Sequence, residues 1–217
     1  MPALAAVCLA AAFLPAQEDP APEQFISLDS KAVSKLRLSS GAPDYPPIAK
    51  VNFIHGEVRI RIFVSRQGRV IRMHAVQGHP FLVVAAMEAI REWTYKPFRV
   101  GKEVREFSTL VSVRFKLQPR VLTDLPPTAE RDLEARVEPP KVVEQPADPP
   151  SDSRVRLRVL VGSNGKALDS QCISGSRSEA PQAEQELMQW KFVPARWGSL
   201  PVPWYLDVEV PIHHSPA

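Results

Sequence analysis

The chain has 217 residues, of which 44% are hydrophobic, and a formal net charge of +3. This length allows about two ordinary domains with packed cores. Its basic residues alternate with apolar ones, as at Arg59 and Arg61 or Arg156 and Arg158. We interpret them as the solvent-facing side of strands and not as a nucleic-acid surface, which needs a basic run beside stacking aromatic residues.

Residues 1–16 have the features of an export signal. Their apolar stretch from Ala3 to Leu14 fits the hydrophobic region of a signal peptide and is shorter than the roughly 20 residues that span a bilayer. We therefore predict an exported protein from which this signal peptide is cleaved. An uncleaved segment that anchors the chain in a membrane, and lipidation at Cys8, stay open as alternatives.

Residues 17–41 are predicted to form a leader arm. They begin as an acidic, proline-rich stretch and continue with mixed apolar and polar positions, which are typical of a short strand or an extended arm. Pro46 and Pro47 then make a stiff approach to the next segment, because the residue before a proline is kept out of the α region.

The segment that follows predicts an α+β unit. Val58 to Val64 alternate between apolar and polar, Gly68 marks a turn, and Val70 to Val76 form a return strand. Apolar residues at helical spacing predict an amphipathic helix over Phe81 to Thr94, and Phe107 to Phe115 alternate again. The predicted unit is a three-stranded antiparallel sheet packed on one helix, in the order β-β-α-β.

This pattern occurs twice. Val58 to Phe115 recurs as Val155 to Ile212 with a constant offset of 97 positions (155 − 58) and no gap. Matching rare residues include the pairs Gly68/Gly165, Trp93/Trp190 and Pro97/Pro194. We therefore predict a degenerate second unit at residues 153–213, with a poorer helix, and a proline-rich linker at residues 117–152, whose composition does not support a core.

No catalytic or metal-binding pattern is present in the sequence. No two of the five histidines share a helix face at metal-ligand spacing, and no cysteine or carboxylate cluster completes a site. The chain also lacks a glycine-rich phosphate loop and a nucleophile elbow. We predict that the protein is not an enzyme and needs no cofactor.

Several short motifs of the first unit resemble the carboxy-terminal domain of the TonB family. They are Tyr-Pro-Pro-Ile-Ala at 45–49, Gly-Glu-Val at 56–58, Gly-Arg-Val at 68–70, Gly-His-Pro at 78–80, Ala-Ala at 85–86 and Trp-Thr-Tyr-Lys-Pro at 93–97. The resemblance assigns residues 42–116 to such a domain, and residues 153–213 resemble it only through their similarity to the first unit.

The resemblance implies a function in the periplasm. TonB-like domains bind a short segment of an outer-membrane transporter by adding it to their sheet as an extra strand. A whole TonB is an energy transducer that also couples to motor proteins in the inner membrane, so these proteins are further expected partners.

The partner-binding residues follow from the same resemblance. The last strand of the first unit contains no proline, so each of its amides is able to pair, whereas Pro201, Pro203 and Pro211 remove donors around the matching strand of the second unit. Tyr45 either covers the hairpin or borders the partner strand. The predicted partner-binding residues are Tyr45, Pro46, Phe107, Thr109, Leu110, Val111, Val113 and Phe115.

Two functions therefore remain open. The first is a TonB-family protein that supports TonB-dependent transport across the outer membrane by strand addition. The second is a periplasmic adaptor that is not coupled to the proton-motive force and uses its two units as a bivalent clamp. Open edge strands also allow a strand-exchanged homodimer.

Overall fold

The structure is a computed structural model that describes residues 25–117, 136–144 and 153–212. The predicted signal at residues 1–16 and most of the predicted linker lie outside these ranges. In the part of the chain that the structure describes, no helix is long and apolar enough to cross a membrane. The fold combines α-helices with several small sheets, as predicted.

The first half of the chain is organised around a four-stranded sheet. Its strands follow the order β1-β8-β3-β4. The elements of this half are β1 (Ile26–Ser27), α1 (Ser30–Ser34), β2 (Arg37–Ser39), α2 (Pro47–Val51), β3 (Gly56–Val64), β4 (Val70–Gln77), α3 (Pro80–Arg91), β5 (Thr94–Tyr95), β6 (Phe98–Val100), β7 (Glu103–Arg105) and β8 (Phe107–Phe115).

The prediction of three strands for this sheet was wrong by one. The fourth strand, β1, comes from the leader arm and pairs in parallel with β8. Strand β1 has only two residues, so it is too short to show a periodicity in the sequence. The other three strands pair antiparallel, β3 with both β4 and β8, as the alternating pattern predicted.

The β3–β4 hairpin depends on a glycine at its turn. Gly68 has a φ of +81°, and its amide donates to the carbonyl oxygen of Ser65 at 2.9 Å. A Cβ atom at Gly68 would lie 1.9 Å from the carbonyl oxygen of Tyr95. The turn therefore needs glycine both for its backbone conformation and for the close approach of the chain after α3.

Helix α3 covers one face of the sheet. Its amino terminus is capped by His79, whose Nδ1 accepts from the amide of Phe81 at 3.3 Å. The helix ends at Arg91, three residues before the predicted end at Thr94, because Thr94 and the next residue pair with β2 as strand β5. A helix and a strand cannot use the same backbone groups, and the pairing with the leader arm ends the helix here.

The second half contains a smaller, three-stranded sheet in the order β12-β11-β16. Its elements are β9 (Val137–Glu138), β10 (Lys141–Glu144), β11 (Arg154–Val161), β12 (Ala167–Ser174), α4 (Ala180–Leu187), β13 (Lys191–Val193), β14 (Ala195–Trp197), β15 (Leu200–Val202) and β16 (Trp204–Pro211).

The strand register of the first half recurs in the second half. Ile60 pairs with Ala75 and with Val111. Leu157, which is 97 positions after Ile60, pairs with Cys172 and Val208, which are 97 positions after the two partners of Ile60. The register shifts between β11 and β12 also fall at the positions that correspond to the shifts between β3 and β4.

Part of the predicted linker belongs to the second half. Strand β9 pairs with β14, and strand β10 pairs with β13. Val137 in β9 is 8% exposed and joins a hydrophobic core. The prediction of a linker was therefore wrong for residues 136–144, because extended residues of this stretch complete two-stranded and three-stranded ladders.

The two halves share one hydrophobic core. Leu160 and Val202 of the second half, 1% and 3% exposed, belong to the core that contains the inner faces of β3 and α3. The ring of Trp204 packs edge-on against Phe81 with 5.9 Å between centroids. A second, separate core lies between α4 and the β12-β11-β16 sheet.

Candidate functional site at the edge of strand β8

Most side chains of β8 are buried in the core. Phe107, Thr109, Val113 and Phe115 are 0%, 1%, 8% and 4% exposed. These four predicted partner-binding residues therefore have side chains that a partner does not reach. What β8 offers to a partner strand is its backbone.

The direction of each backbone group in β8 follows from its bonds to β1. The amide of Ile26 donates to the carbonyl oxygen of Glu106 at 3.1 Å, and the amide of Leu28 donates to that of Ser108 at 2.8 Å. Backbone groups alternate from one edge of a strand to the other, and the β3–β8 register is continuous. The amides and carbonyls of Leu110, Ser112 and Arg114 therefore face the outer edge.

This alternation changes the set of residues that we expect at the partner-binding edge. Val111, like the four buried residues, directs its amide towards β3 and not towards a partner. Among the predicted residues of β8, Leu110 is the one whose backbone groups face outwards. Ser112 and Arg114, whose backbone groups also face outwards, were not predicted. Sequence alternation separates the two faces of a sheet but does not say which neighbouring strand each amide meets.

The leader arm occupies the beginning of the same edge. Strand β1 pairs with Phe107 and Ser108, and the hydroxyl group of Thr109 donates to the carbonyl oxygen of Leu28 at 2.9 Å. The first part of this edge is therefore already paired within the chain. Beyond Thr109, no strand in the described residues pairs with this edge.

A groove of about 530 Å³ runs beside this open part of β8. On one side it is bounded by the arm, and on the other by the edge of the sheet. Its lining includes three cationic side chains, which favour a polar or acidic partner segment. The groove is lined by Ser27, Leu28, Asp29, Ser30, Val33, Ser34, Arg37, Arg59, Arg61, Tyr95, Thr109, Leu110, Val111 and Ser112.

Comparison with known protein families identifies the domain that carries this edge. The family model described as the Gram-negative bacterial TonB protein C-terminal matches residues 41–117. Residues 41–117 form a TonB C-terminal domain. This result confirms the family that the sequence motifs indicated.

The other two comparisons add little to this assignment. Among solved structures, the chain is similar to the solution NMR structure of the Pseudomonas aeruginosa TonB C-terminal domain, with 20% identity and a TM-score of 0.35. That alignment covers 39% of this chain and 87% of the other. No curated protein matches the chain.

The family describes the general class of this domain. TonB C-terminal domains are non-enzymatic protein-interaction domains of the bacterial envelope, and they interact with outer-membrane transporters. Within residues 25–117, 136–144 and 153–212, no three metal-binding side chains come together as a metal site.

Tyr45 lies at the far end of β8 in this TonB C-terminal domain. Its hydroxyl group donates to the carbonyl oxygen of Ile54 at 2.6 Å, and its ring packs edge-on against Phe115 at 5.3 Å. Partial burial raises the pKa of this hydroxyl, so it stays a neutral donor. The adjacent Pro46 caps helix α2, which begins at Pro47. Tyr45 thus supports the end of β8 from within the chain, and Pro46 supports the start of helix α2.

The matching edge in the second half is that of β16. The amide of Ile212 donates to the carbonyl oxygen of Ser153 at 3.0 Å, so even-numbered residues face β11 and odd-numbered ones face outwards. Pro211 therefore leaves a missing donor on the outer edge. Asp207 also lies there, and its carboxylate accepts from the Arg158 guanidinium at 2.8 Å, which lowers the pKa of Asp207.

Proposed function

We propose that this protein is a periplasmic member of the TonB family that binds an extended segment of an outer-membrane transporter along the outer edge of β8. The observation that carries the proposal is the outward direction of the backbone groups of Leu110, Ser112 and Arg114 in a TonB C-terminal domain. Three consecutive outward residues offer up to six main-chain hydrogen bonds, which is the basis of affinity in strand addition.

A role in TonB-dependent transport follows from this binding. The export features of residues 1–16 support a periplasmic location, either free after cleavage or tethered to the inner membrane. Coupling to motor proteins of the inner membrane belongs to the tethered form. In both forms the transporter segment docks at the same edge.

The second half supports the proposal as a degenerate copy of the TonB-like unit. The recurrence of the strand register at an offset of 97 positions supports a duplication. So does the turn at Gly165, where a Cβ atom would lie 2.3 Å from the carbonyl oxygen of Phe192, as at Gly68 and Tyr95. Because Pro211 removes an outward donor, we assign partner binding to the first half.

A bivalent adaptor without energy coupling is the second candidate. It is favoured by the outer edge of β16, which pairs with no strand in the part of the chain that the structure describes. Because the halves share a core, such an adaptor would hold its two edges at a fixed separation and not on a flexible linker.

The experiment that tests the proposed function replaces one outward amide. Ser112 is exposed, and Ser112→Pro removes an edge donor without breaking the β3–β8 ladder. Ser112→Ala is the matched control, because it changes the side chain and keeps the amide. Binding is measured by amide chemical shifts of the full chain with peptides from the amino-terminal periplasmic segments of outer-membrane transporters of the same host.

We expect the wild-type chain and Ser112→Ala to bind the same peptide, with shifts at Leu110, Ser112 (or the alanine) and Arg114. Ser112→Pro should bind it at least tenfold more weakly. Equal affinity of all three proteins, or shifts that cluster at β16, would contradict strand addition at β8. Shifts at β8 and β16 together would favour the adaptor.

A further inference from the structure

We propose that residues 25–34 of the leader arm are an internal competitor that closes the β8 edge and that a partner strand must displace. This inference rests on the proposed function, because it concerns access to the same edge. It starts from the parallel pairing of β1 with β8, in which the chain already adds a strand to its own sheet.

The arm and a partner strand cannot be bound together in this conformation. An added strand lies about 4.8 Å from its neighbour. Backbone atoms of α1 lie within 8 Å of β8, and residues of α1 line the groove beside Leu110 and Ser112. The carbonyl oxygen of Ser108 is already paired with Leu28. A partner that pairs along β8 therefore has to move both β1 and α1.

Residues 25–34 are held by hydrogen bonds at β1 and by the packing of short elements, which makes this displacement feasible. Phe25 packs edge-on against Phe63 at 5.0 Å, and Val33 is the buried residue of α1. Helix α1 has five residues and no side-chain cap. Short elements with few buried contacts open at a low free-energy cost relative to global unfolding.

The arm also has a hinge that keeps it attached when it opens. Downstream of α1, the amide of Lys96 donates to the carbonyl oxygen of Leu36 at 2.7 Å. The indole of Trp93 donates to the carbonyl oxygen of Gly41 at 3.0 Å. Residues 25–34 can therefore leave the edge while residues 36–41 stay fixed, and a tethered strand competes at a high effective concentration.

The partner-independent test uses a peptide with the sequence of residues 25–30, Phe-Ile-Ser-Leu-Asp-Ser, added to the full chain. Ile26→Pro removes the amide that donates to Glu106, and so weakens the internal strand. Ser27→Pro is the matched control, because the amide of Ser27 faces away from β8. Phe25→Ala, which removes the contact with Phe63, is a second release variant that places no proline in the chain.

We expect the peptide to shift the amides of Ser108 and Leu110 in Ile26→Pro and in Phe25→Ala. Its apparent affinity should be at least tenfold higher for Ile26→Pro than for the wild type, because apparent affinity scales with the fraction of open edge. Ser27→Pro should behave as the wild type. The same response in all four proteins, or no response in the two release variants, would overturn the proposal.

The transporter peptides separate this inference from the proposed function. If they bind the wild type and Ile26→Pro equally well, strand addition stands and competition by the arm is refuted. If no transporter peptide binds while the arm peptide binds the two release variants, competition by the arm is supported and the transporter is not the partner.

Discussion

The carboxylate of Asp169 in β12 accepts a hydrogen bond from the backbone amide of Ala75 in β4 at 2.6 Å. The same carboxylate accepts from the amide of Ser170 and is paired with Nδ1 of His74, both at 2.9 Å. Asp169 is 6% exposed. One buried side chain of the second half thus provides the acceptor for an amide at the outer edge of the first sheet.

Asp169→Ala should therefore destabilise the protein strongly. It leaves the buried amide of Ala75 without its acceptor, and such losses around a charged group cost about 2–4 kcal/mol. Asp207→Ala is the control, since its partner Arg158 is half exposed and such a pair contributes at most about 1 kcal/mol. Urea unfolding of both variants measures the difference, and equal losses would be inconsistent with the role of Asp169.

Stability should fall in mild acid because of His79. Burial lowers the pKa of this imidazole from 6.5 to about 4, so the unfolded chain binds the proton more readily than the folded one. The contribution of neutral His79 to the free energy of unfolding is fully present above pH 6.5. It decreases by about 2–3 kcal/mol as the pH falls towards 4.

His79→Asn tests this pH dependence while keeping an acceptor for the amide of Phe81. We expect the free energy of unfolding of this variant to change less between pH 7 and pH 4 than that of the wild type. Parallel profiles for the two proteins would assign the acid sensitivity to other groups.

Substitution of Gly68 should cost more than substitution of another glycine with positive φ. Gly68→Ala combines a left-handed conformation with a contact of 1.9 Å to Tyr95, whereas Gly101 has a φ of +63° and nothing within 4 Å of its Cβ position. We expect about 1 kcal/mol for Gly101→Ala and at least roughly 3 kcal/mol for Gly68→Ala. Denaturant midpoints with unchanged slopes would measure the two losses of stability. Similar losses for both variants would refute the steric effect of the contact with Tyr95.

The two halves should unfold together because Leu160 of the second half packs in the core of the first. Leu160→Ala should lower the unfolding free energy by about 2–5 kcal/mol. Hydrogen exchange of β3 and β11 should accelerate together. Leu200→Ala, at an exposed position, should have an effect below about 0.5 kcal/mol. Faster exchange in β11 alone would mean that the halves are independent.

The sequence predicted the local parts of this fold and missed those that depend on distant contacts. The alternation of Val58 to Val64 predicted a half-buried strand, and Gly68 predicted its turn. The pairing of Ile26 with Phe107 is not predictable in this way, because two residues carry no period. The same holds for Asp169, whose partner Ala75 is 94 positions away.

The proposed site lies on the strand that the sequence indicated, but the backbone groups at its outer edge belong partly to other residues. The motifs around Trp93 identified the family, and the absence of proline in Phe107 to Phe115 identified the edge. Which amides point outwards depends on the neighbours of the strand. The backbone groups of Ser112 and Arg114 are assigned to the outer edge only by the hydrogen bonds from β1 to β8.

The contact between Asp169 and Ala75 joins two unlike surfaces. At the repeat offset, the residue of the first half that corresponds to Asp169 is Arg72, a cation. A second copy of the first half would therefore bring a positive charge to an amide donor and leave Ala75 without an acceptor. The bond from Ala75 to Asp169 therefore has no equivalent when two first halves meet through their β4 edges.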